Sequence, residues 1–209
     1  MPEPTRNARV GREFYVTDAA TLAKRLIGCA LVRRLSNGTR LSGRIVETEA
    51  YLGVQDRASH AFGGRRTPRN EMMYAQAGTA YVYFTYGMHF CMNVVCGVVD
   101  EPSAVLLRAL EPSEGLEAMR AARATVRNPR PRDIDLCSGP GKLCQALGIG
   151  RAQNGLDLVW GDEMWLEAAA RDRSAARLVN TARIGLGDVG AWANRRLRWH
   201  LRSNPHVSV

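Results

Sequence analysis

The chain has 209 residues, enough for one domain with a sizeable core, and its hydrophobic content of 45% is ordinary for a globular protein and excludes a disordered chain. The formal net charge is +9, and every basic residue other than Lys24 and Lys142 is an arginine. Because the planar guanidinium group suits phosphate and carboxylate, this charge predicts an anionic partner, with nucleic acid as the first candidate. A solvated basic surface is the alternative.

The cysteines and histidines form no metal-binding or disulfide pattern. The five cysteines are odd in number, no pair has C-x-x-C spacing, and no two histidines have H-x-x-x-H spacing. We therefore expect buried free thiols in a reducing compartment, no metal and no other cofactor. Residues 1–12 lack the apolar segment of a signal peptide, and no apolar run of about 18 residues is present. These observations predict an intracellular protein of the cytoplasm or nucleoid, with no membrane partner.

The beginning of the chain predicts an arm followed by a helix. Residues 1–12 are polar and basic, and we expect a flexible arm ahead of a single domain over 13–209. Asp18 is a good N-cap, and the residues after it place leucines on one face, which predicts a helix over 19–27. Gly28 ends this helix.

Two strands and a loop are predicted next. Residues 29–35 and 39–51 have strand character, and Asn37-Gly38 between them is typical of a type I′ hairpin turn. One helical turn fits 55–61. Residues 63–70 contain Gly-Gly and Thr-Pro pairs, which predict a loop.

A second hairpin is predicted from two aromatic runs. Residues 79–86 and 88–95 both have strand character, and Gly87 between them supplies the positive φ of a tight turn. Tyr86 then lies at or beside the tip. Residues 103–110 form the following strand.

The rest of the chain mixes helices and strands. Residues 112–127 read as a helix with Met119 facing inward, and 127–135 as a mobile surface loop because of its prolines. A short helix over 143–147 and three short strands complete the pattern, the strands at 164–168, 178–184 and 196–202. Without a βαβ rhythm, this order favours an α+β fold over a doubly wound sheet.

The strand over 39–51 carries two carboxylates. Strand alternation places Ile45, Glu47, Glu49 and Tyr51 on one face. Carboxyl groups of residues two apart sit side by side, about 7 Å along the strand, whereas a two-carboxylate glycosidase needs them on either side of the scissile bond. A single carboxylate acting on water is the simpler interpretation, and Glu49 is preferred because it lies nearer the strand end. The alternative is that both glutamates pair with arginines.

The glycine-rich loop and the aromatic hairpin point to nucleic acid. The loop over 63–70 contains three arginines that could hold phosphates without reading sequence, although exposed arginines are usually only solvated. Aromatic strands are usually core, but the phenols of Tyr81, Tyr83 and Tyr86 need hydroxyl partners if buried. A rigid aromatic residue at a hairpin tip could enter a duplex and fill the gap left by an extruded nucleotide.

At these residues the chain resembles the alkyladenine (3-methyladenine, or methylpurine) DNA glycosylase family. The resemblance covers about residues 13–209 and includes a similar tail over 203–209. It rests on the number and order of the shared motifs. These motifs lie at 46–53, 63–65, 67–70, 81–83, 86–88, 90–93, 105–112, 137–140 and 142–147. It implies one compact domain with a curved antiparallel sheet flanked by helices, and a protruding β-hairpin. It also implies a DNA-repair hydrolase of alkylated or deaminated purines, acting as a monomer on damaged double-stranded DNA and leaving an abasic site.

The resemblance assigns roles to individual residues. Glu49 would activate the attacking water, and Arg108 would help to hold that water. Asn93 would form the pocket floor and reject the exocyclic amine of guanine, and Tyr86 would be the wedge. The remaining base-pocket residues would be Tyr51, Ala58, His60 and Tyr83. The backbone contacts would come from Arg65, Thr67, Arg69, Met73 and Lys142.

Two departures from the family pattern concern substrate preference. His89 stands where the family often has tyrosine, beside the wedge, and the segment 94–103 is slightly longer than usual. Neither of the two lysines is suited to form a Schiff base, because Lys24 falls on the first helix and Lys142 at a helix start, so no lyase activity is expected. A non-catalytic module that binds DNA or structured RNA is the competing hypothesis, since charge and aromatic residues alone support both.

Overall fold

The computed structural model describes residues 9–169 and 178–208. Within these residues eight strands and four α-helices follow one another as α1 (Ala19–Leu26), β1 (Ala30–Arg34), β2 (Arg40–Tyr51), β3 (Ala80–Thr85), β4 (His89–Cys96), β5 (Ser103–Glu114), α2 (Leu116–Arg123), α3 (Asp133–Leu136), α4 (Pro140–Ala146), β6 (Met164–Glu167), β7 (Leu178–Thr181) and β8 (Arg198–Leu201). No helix in the described residues is long and apolar enough to cross a membrane.

One curved antiparallel sheet organises the fold. Its strand order is β3-β4-β5-β2-β1-β6, and β8 joins the far half of β2 and pairs with β7. The long strand β2 therefore pairs with β5 along one edge and with β1 and then β8 along the other. The predicted α+β class with a curved antiparallel sheet is confirmed, and β2 is the strand that the other elements surround.

The helices cover the sheet and complete a large hydrophobic core. Helix α1 packs against β2 and β5, and α4 packs against β4 and β5. Leu22 and Leu26 of α1 and Leu143 of α4 are fully buried, so each helix turns an apolar face inward. A smaller hydrophobic cluster packs Met73 against Tyr81 of β3 and Val95 of β4.

A bulge in β2 modifies the predicted alternation. The pairing with β5 shifts register between Ile45 and Glu47 and again between Glu47 and Thr48. A bulge breaks the two-residue period of a strand. The prediction that Ile45 shares one face with Glu47, Glu49 and Tyr51 is therefore wrong, because Ile45 packs in the main hydrophobic core. Glu47, Glu49 and Tyr51 remain on one side, where Arg108 contacts both glutamates.

The two hairpin turns differ from expectation. The turn after β1 is not type I′, because Gly38 has a φ of 82° while Asn37 keeps a negative φ. Gly38 N–H donates to Leu35 O, which gives a three-residue loop. The type I′ turn occurs instead between β3 and β4, where Tyr86 and Gly87 have φ values of 50° and 68°. Tyrosine rarely adopts a positive φ, so sequence propensity favoured the Asn-Gly pair.

The helix predicted over 112–127 is shorter at both ends. Strand β5 continues through Pro112 to Glu114, and the register shift in β2 near Ser42 accommodates the missing N–H of proline. Helix α2 begins only after Gly115, whose φ of 74° turns the chain out of the sheet. Met119 faces the core as predicted. Helix α3 starts inside the predicted loop over 127–135.

The helical turn predicted over 55–61 is absent, and short 3-10 helices at Gly53–Gln55 and Phe62–Gly64 lie on either side of it instead. Helix α4 begins at Pro140, three residues before its predicted start.

The remaining predicted elements agree with the structure. Helix α1 begins at Asp18, whose side chain accepts from Thr21 N–H at 2.9 Å, and the predicted strands match β1 to β8 apart from shifted ends. Residues 9–12 of the predicted arm lie against the domain: Val10 is buried, and Arg12 pairs with Asp157. Residues 1–8 of that arm lie outside the described residues.

Candidate active site

A pocket of about 300 Å³ lies beside the β3–β4 hairpin, in the size range of small-ligand sites. Two further segments complete its wall, residues 57–60 after β2 and residues 185–189 after β7. The aromatic and polar lining includes all the residues expected to form a base pocket, which are Tyr51, Ala58, His60, Tyr83 and Asn93. Residues far apart in the chain are thus brought around one cavity.

Glu49 lies one hydrogen bond beyond the pocket wall. Its side chain is fully buried and accepts from the Tyr51 hydroxyl at 3.0 Å and from Ile184 N–H at 2.9 Å. An Arg108 nitrogen lies 3.2 Å from the same carboxylate. Burial raises the pKa of Glu49 above its usual range, while Arg108 and the two hydrogen bonds oppose that rise. A carboxylate in this position is poised to take a proton.

Glu47 has a different environment on the same strand. It forms ion pairs with Arg108 at 2.8 Å and Arg198 at 2.6 Å, and it accepts from both the N–H and the hydroxyl of Ser208. Burial opposes ionisation, but Arg108, Ser208 and Arg198 outweigh it and lower the pKa of Glu47. Both oxygens of Glu47 are engaged, and its pairing with two arginines fits the alternative considered for the glutamates of this strand.

Arg108 connects the two glutamates. Its Nε donates to Glu47, one terminal nitrogen pairs with Glu49, and the other donates to the Ser208 hydroxyl at 3.1 Å. The guanidinium group is buried with only 9% of the side chain exposed. Arg108 therefore fixes the orientation of the Glu49 carboxylate from below the pocket.

His60, Tyr81 and Tyr83 form an aromatic wall. The Nδ1 of His60 shares a hydrogen bond of 2.7 Å with the Tyr81 hydroxyl, and the ring of His60 meets that of Tyr83 edge-on at 4.5 Å. Burial, together with Arg69 and Arg65, lowers the pKa of His60 to about 4. The imidazole is therefore neutral near pH 7 and can donate one hydrogen bond through one nitrogen.

The floor and rim of the pocket contain small and polar residues. Asn93 is buried on β4, and its amide nitrogen donates to Tyr81 O at 3.2 Å, which fixes the amide orientation. Ala58 N–H donates to Asp56 at 3.0 Å. Met73 is only 2% exposed and lines the pocket, although the resemblance assigned it to contact with the DNA backbone.

Tyr86 projects from the hairpin tip. Its side chain is 77% exposed, and the neighbouring Met88 is 70% exposed. Tyr86 also lines the pocket mouth, where its hydroxyl lies 3.5 Å from Gly185 O on the opposite rim. Tyr86 therefore occupies the position expected of a side chain that enters a duplex beside the pocket.

The residues expected to contact a DNA backbone differ in how close they lie to the pocket. Arg65 lines the pocket, and Arg69 donates to Phe84 O at 3.0 Å and lies 5.6 Å from the ring centre of Tyr83. Thr67 is exposed and bonded to Asn70. Lys142 lies apart from the pocket, at the start of α4, where its Nζ is 3.4 Å from the Ser138 hydroxyl.

Comparison with known proteins identifies the family. The model of the family described as methylpurine-DNA glycosylase matches residues 13–205. The DNA-3-methyladenine glycosylase of Homo sapiens is 50% identical over 205 residues, which span 96% of this chain and 68% of the human protein. The chain belongs to the methylpurine-DNA glycosylase family. This membership confirms the resemblance and the class of enzyme expected from the sequence, with DNA as the substrate.

Other relatives differ in length. The Mus musculus DNA-3-methyladenine glycosylase is 49% identical over 208 residues, and the match spans 97% of this chain but 62% of the mouse protein. A putative 3-methyladenine DNA glycosylase of Clostridium perfringens is 40% identical over 203 residues, covering 96% of this chain and 98% of that protein. The chain therefore spans about two thirds of the mammalian proteins and nearly all of the clostridial one.

Three residues close to Glu49 or Tyr51 were not found from the sequence. Asp56 and Arg183 form a fully buried ion pair beside the pocket, and Ile184 supplies the N–H that binds Glu49. The run from Arg183 to Gly187 contains two glycines, which allow the backbone to approach other groups closely. This pattern was the signal in the sequence that could have pointed to the segment. Among residues 9–169 and 178–208, no group of three histidine, cysteine or acidic side chains is arranged to hold a metal ion.

Proposed function

We propose that the chain is a monofunctional base-excision repair glycosylase that removes alkylated or deaminated purines from double-stranded DNA as a monomer. The proposed substrate bases are 3-methyladenine, 7-methylguanine, hypoxanthine and ethenoadenine. One observation carries the proposal: a buried carboxylate, Glu49, is held by Tyr51, Ile184 and Arg108 directly behind an aromatic pocket at a basic surface.

Glu49 is the proposed general base. A water molecule attacks C1′ of the nucleotide, its proton passes to Glu49, the new C–O bond replaces the N-glycosidic bond, and an abasic site remains. A base alkylated at N3 or N7 carries a positive charge and leaves as a neutral molecule without an acid. A neutral base such as hypoxanthine leaves as an anion and takes up a proton from solvent. Arg108 serves by keeping the carboxylate ionised and oriented toward the water, because a nearby cation favours the charged form.

The pocket supplies recognition of the extruded base. Tyr51, His60 and Tyr83 offer aromatic faces and edges on which a purine can stack, and neutral His60 offers one hydrogen bond. Asn93 occupies the floor in a fixed orientation, so an exocyclic amine at that position meets a filled site. We infer that this contact discriminates against normal guanine.

Extrusion of the base requires a wedge and contacts to the backbone. Tyr86 is proposed to enter the base stack and fill the gap, since it is the exposed ring at the hairpin tip. Arg65, Thr67, Arg69 and Lys142 are proposed to contact phosphates on either side. For Met73, its position in the pocket lining favours an apolar contact close to the base instead.

The absence of lyase activity is part of the proposal. Lysine is the usual amine for a Schiff base with the abasic sugar, and neither Lys24 nor Lys142 lines the pocket in the described residues. Borohydride reduction during turnover should trap no covalent protein–DNA complex. A trapped complex would replace the monofunctional mechanism with a bifunctional one.

Replacement of Glu49 is the direct test. Glu49→Gln keeps the shape and removes the base, so excision of hypoxanthine and 7-methylguanine from duplexes should fall by at least about 100-fold while lesion binding is retained. Alkali cleavage of the abasic product measures the rate. The pKa of Glu49 is raised in the folded protein, so the protonated side chain stabilises the fold at low pH. This stabilisation is lost as pH rises through the folded pKa. Glu49→Gln should therefore not lower Tm at pH 7.

Glu47→Gln is the matched control on the same strand. It leaves Arg108 and Arg198 without their shared anion, so Tm should fall by several degrees, while excision per folded molecule changes little. Equal loss of excision in the two variants would remove the special role of Glu49. Failure of the unaltered protein to excise any of the lesions would refute the proposed function itself.

A further inference from the structure

A buried cation lies behind one wall of the pocket. The guanidinium group of Arg183 pairs with both oxygens of Asp56 at 2.6 and 2.9 Å, and neither side chain is exposed. Arg183 also donates to Ala50 O at 3.0 Å. The mechanism proposed above uses neither residue, although a fully buried ion pair is seldom worth its desolvation for stability alone.

Arg183 is in contact with the ring of Tyr51. Its guanidinium carbon lies 4.8 Å from the ring centre, within cation–π distance. Tyr51 lines the pocket, whereas Arg183 is fully buried and does not line it, so the cation contacts the ring from within the protein rather than from the cavity. Asp56 neutralises the pair as a whole, while the guanidinium is the group in contact with the ring.

This arrangement changes what the ring offers to a base. The face of an aromatic ring is electronegative and attracts cations, and a cation held against one face draws electron density from the other. A cationic purine stacked on the pocket side of Tyr51 therefore gains less, whereas a neutral purine does not lose this attraction. Of the proposed lesions, the purines alkylated at N3 or N7 are cationic, whereas hypoxanthine and ethenoadenine are neutral.

We propose that Arg183, held by Asp56, is a positioning residue that acts through Tyr51 to lower the preference of the pocket for cationic over neutral purine bases. The inference rests on the proposed function. Its consequence is a pocket that accepts neutral lesions that lack the leaving-group advantage of alkylated ones, so that one site serves both classes.

A neutral replacement of the pair tests the proposal. The double variant Asp56→Asn/Arg183→Gln removes both charges but retains groups that can hydrogen-bond to each other. Single-turnover excision of 7-methylguanine and hypoxanthine from matched duplexes gives a rate ratio. We expect this ratio to rise roughly fivefold, a change in the lower part of the range for cation–π contacts. An equal change in both rates would mean that the pair is only structural and would overturn the proposal.

Two single variants separate charge from packing. Arg183→Lys keeps the positive charge but loses the planar guanidinium group that pairs with Asp56. Both excision rates should therefore fall, while the ratio of the two rates changes by less than about twofold. Arg33→Gln removes another buried arginine, one paired with Glu163 at 2.8 Å, and should lower Tm without changing the ratio. A shift of the ratio in Arg33→Gln as large as in the neutral pair would also overturn the proposal.

A third comparison does not depend on the folding of the double variant. The comparison uses two variants with Arg183 intact, one being Tyr51→Phe and the other carrying trifluorophenylalanine at the same position. The two side chains differ in the electron density of the ring. The fluorinated ring should lower the rate ratio further, and an identical ratio in the two proteins would exclude any contribution of the ring face. If the unaltered protein excises neither lesion, the proposed function fails; if it excises both and these ratios do not move, only the present inference fails.

Discussion

Two glutamates on one strand show how environment separates chemical roles. Glu47 and Glu49 lie two residues apart and both contact Arg108, yet the pKa of Glu47 is lowered and that of Glu49 is raised. The difference arises because Glu47 has a second arginine, Arg198, and two donors from Ser208, whereas Glu49 is buried with one arginine and two neutral donors. Opposed pKa shifts in neighbouring carboxylates are typical of a catalytic site.

The raised pKa of Glu49 predicts the pH dependence of excision. A general base must be ionised, so kcat/KM for a neutral lesion should rise with pH along a limb that lies above the ordinary glutamate value of 4.5. Arg108 favours the charged form, and Arg108→Gln should therefore move this limb to higher pH, apart from any loss of rate. Rate profiles with a hypoxanthine duplex measure the limb, and an unmoved limb would contradict the assignment of Glu49.

At the scale of elements, the β3–β4 hairpin combines two requirements at its tip. Tyr86 has a φ of 50° and 77% exposure, so the turn holds a tyrosine in a conformation that asparagine or glycine adopts more easily. Keeping an exposed aromatic ring at a strained position suggests that function, rather than stability, selects the ring.

Substitution at this tip separates the two requirements. Tyr86→Asn fits the type I′ turn better and removes the ring, so Tm should hold or rise slightly while affinity for a lesion duplex falls roughly tenfold, as expected for one lost stacking contact. Tyr86→Phe keeps the ring and should bind almost normally. Undiminished binding by Tyr86→Asn would make the hairpin only structural.

The junction between β5 and α2 is a second element with a strict backbone requirement. Gly115 has a φ of 74°, and an added Cβ would lie 2.7 Å from Arg40 O. Gly38 has a similar φ of 82° in open space. Gly38→Ala should cost about 1 kcal/mol of unfolding free energy from backbone strain alone. Gly115→Ala should cost at least about 3 kcal/mol because backbone must also move; equal losses in denaturant titrations would exclude the steric contribution.

At the scale of the whole molecule, the net charge of +9 means that arginines outnumber the carboxylates available to pair with them. Arg66 is held by Glu71 and Asp100, whereas no carboxylate among the described residues pairs with the adjacent Arg65, which lines the pocket. Adjacent arginines of the same loop are therefore expected to differ in their contribution to DNA binding.

Salt dependence of binding measures that difference. Affinity for duplex DNA should fall steeply with salt, and Arg65→Ala should reduce the slope of log affinity against log salt by about 0.9, the value for one phosphate contact. Arg66→Ala should leave the slope unchanged because its charge is already paired within the protein. A flat salt response of the unaltered chain would contradict phosphate contacts altogether.

Much of the fold followed from local patterns in the sequence. Asp18 and Gly28 bound α1, and the strand pattern gave β2, β3 and β4 nearly to the residue, because caps and two-residue periodicity depend on neighbours in the chain. The start of the helix predicted over 112–127 was wrong because a distant contact decided the backbone conformation there. Pro112 continues a strand because β2 pairs with it.

The sequence alone determined the class of fold, the family and the residues of the pocket that lie within its motifs, since local periodicity and ordered motifs are written in consecutive residues. Only the tertiary structure decided how the two glutamates differ and which side chains lie behind the pocket. Asp56 and Arg183 are 127 residues apart, and Glu47 meets Ser208 across 161 residues. Such pairings depend on how β2, β7 and the chain end approach one another, and no local pattern of charge or hydrophobicity encodes that approach.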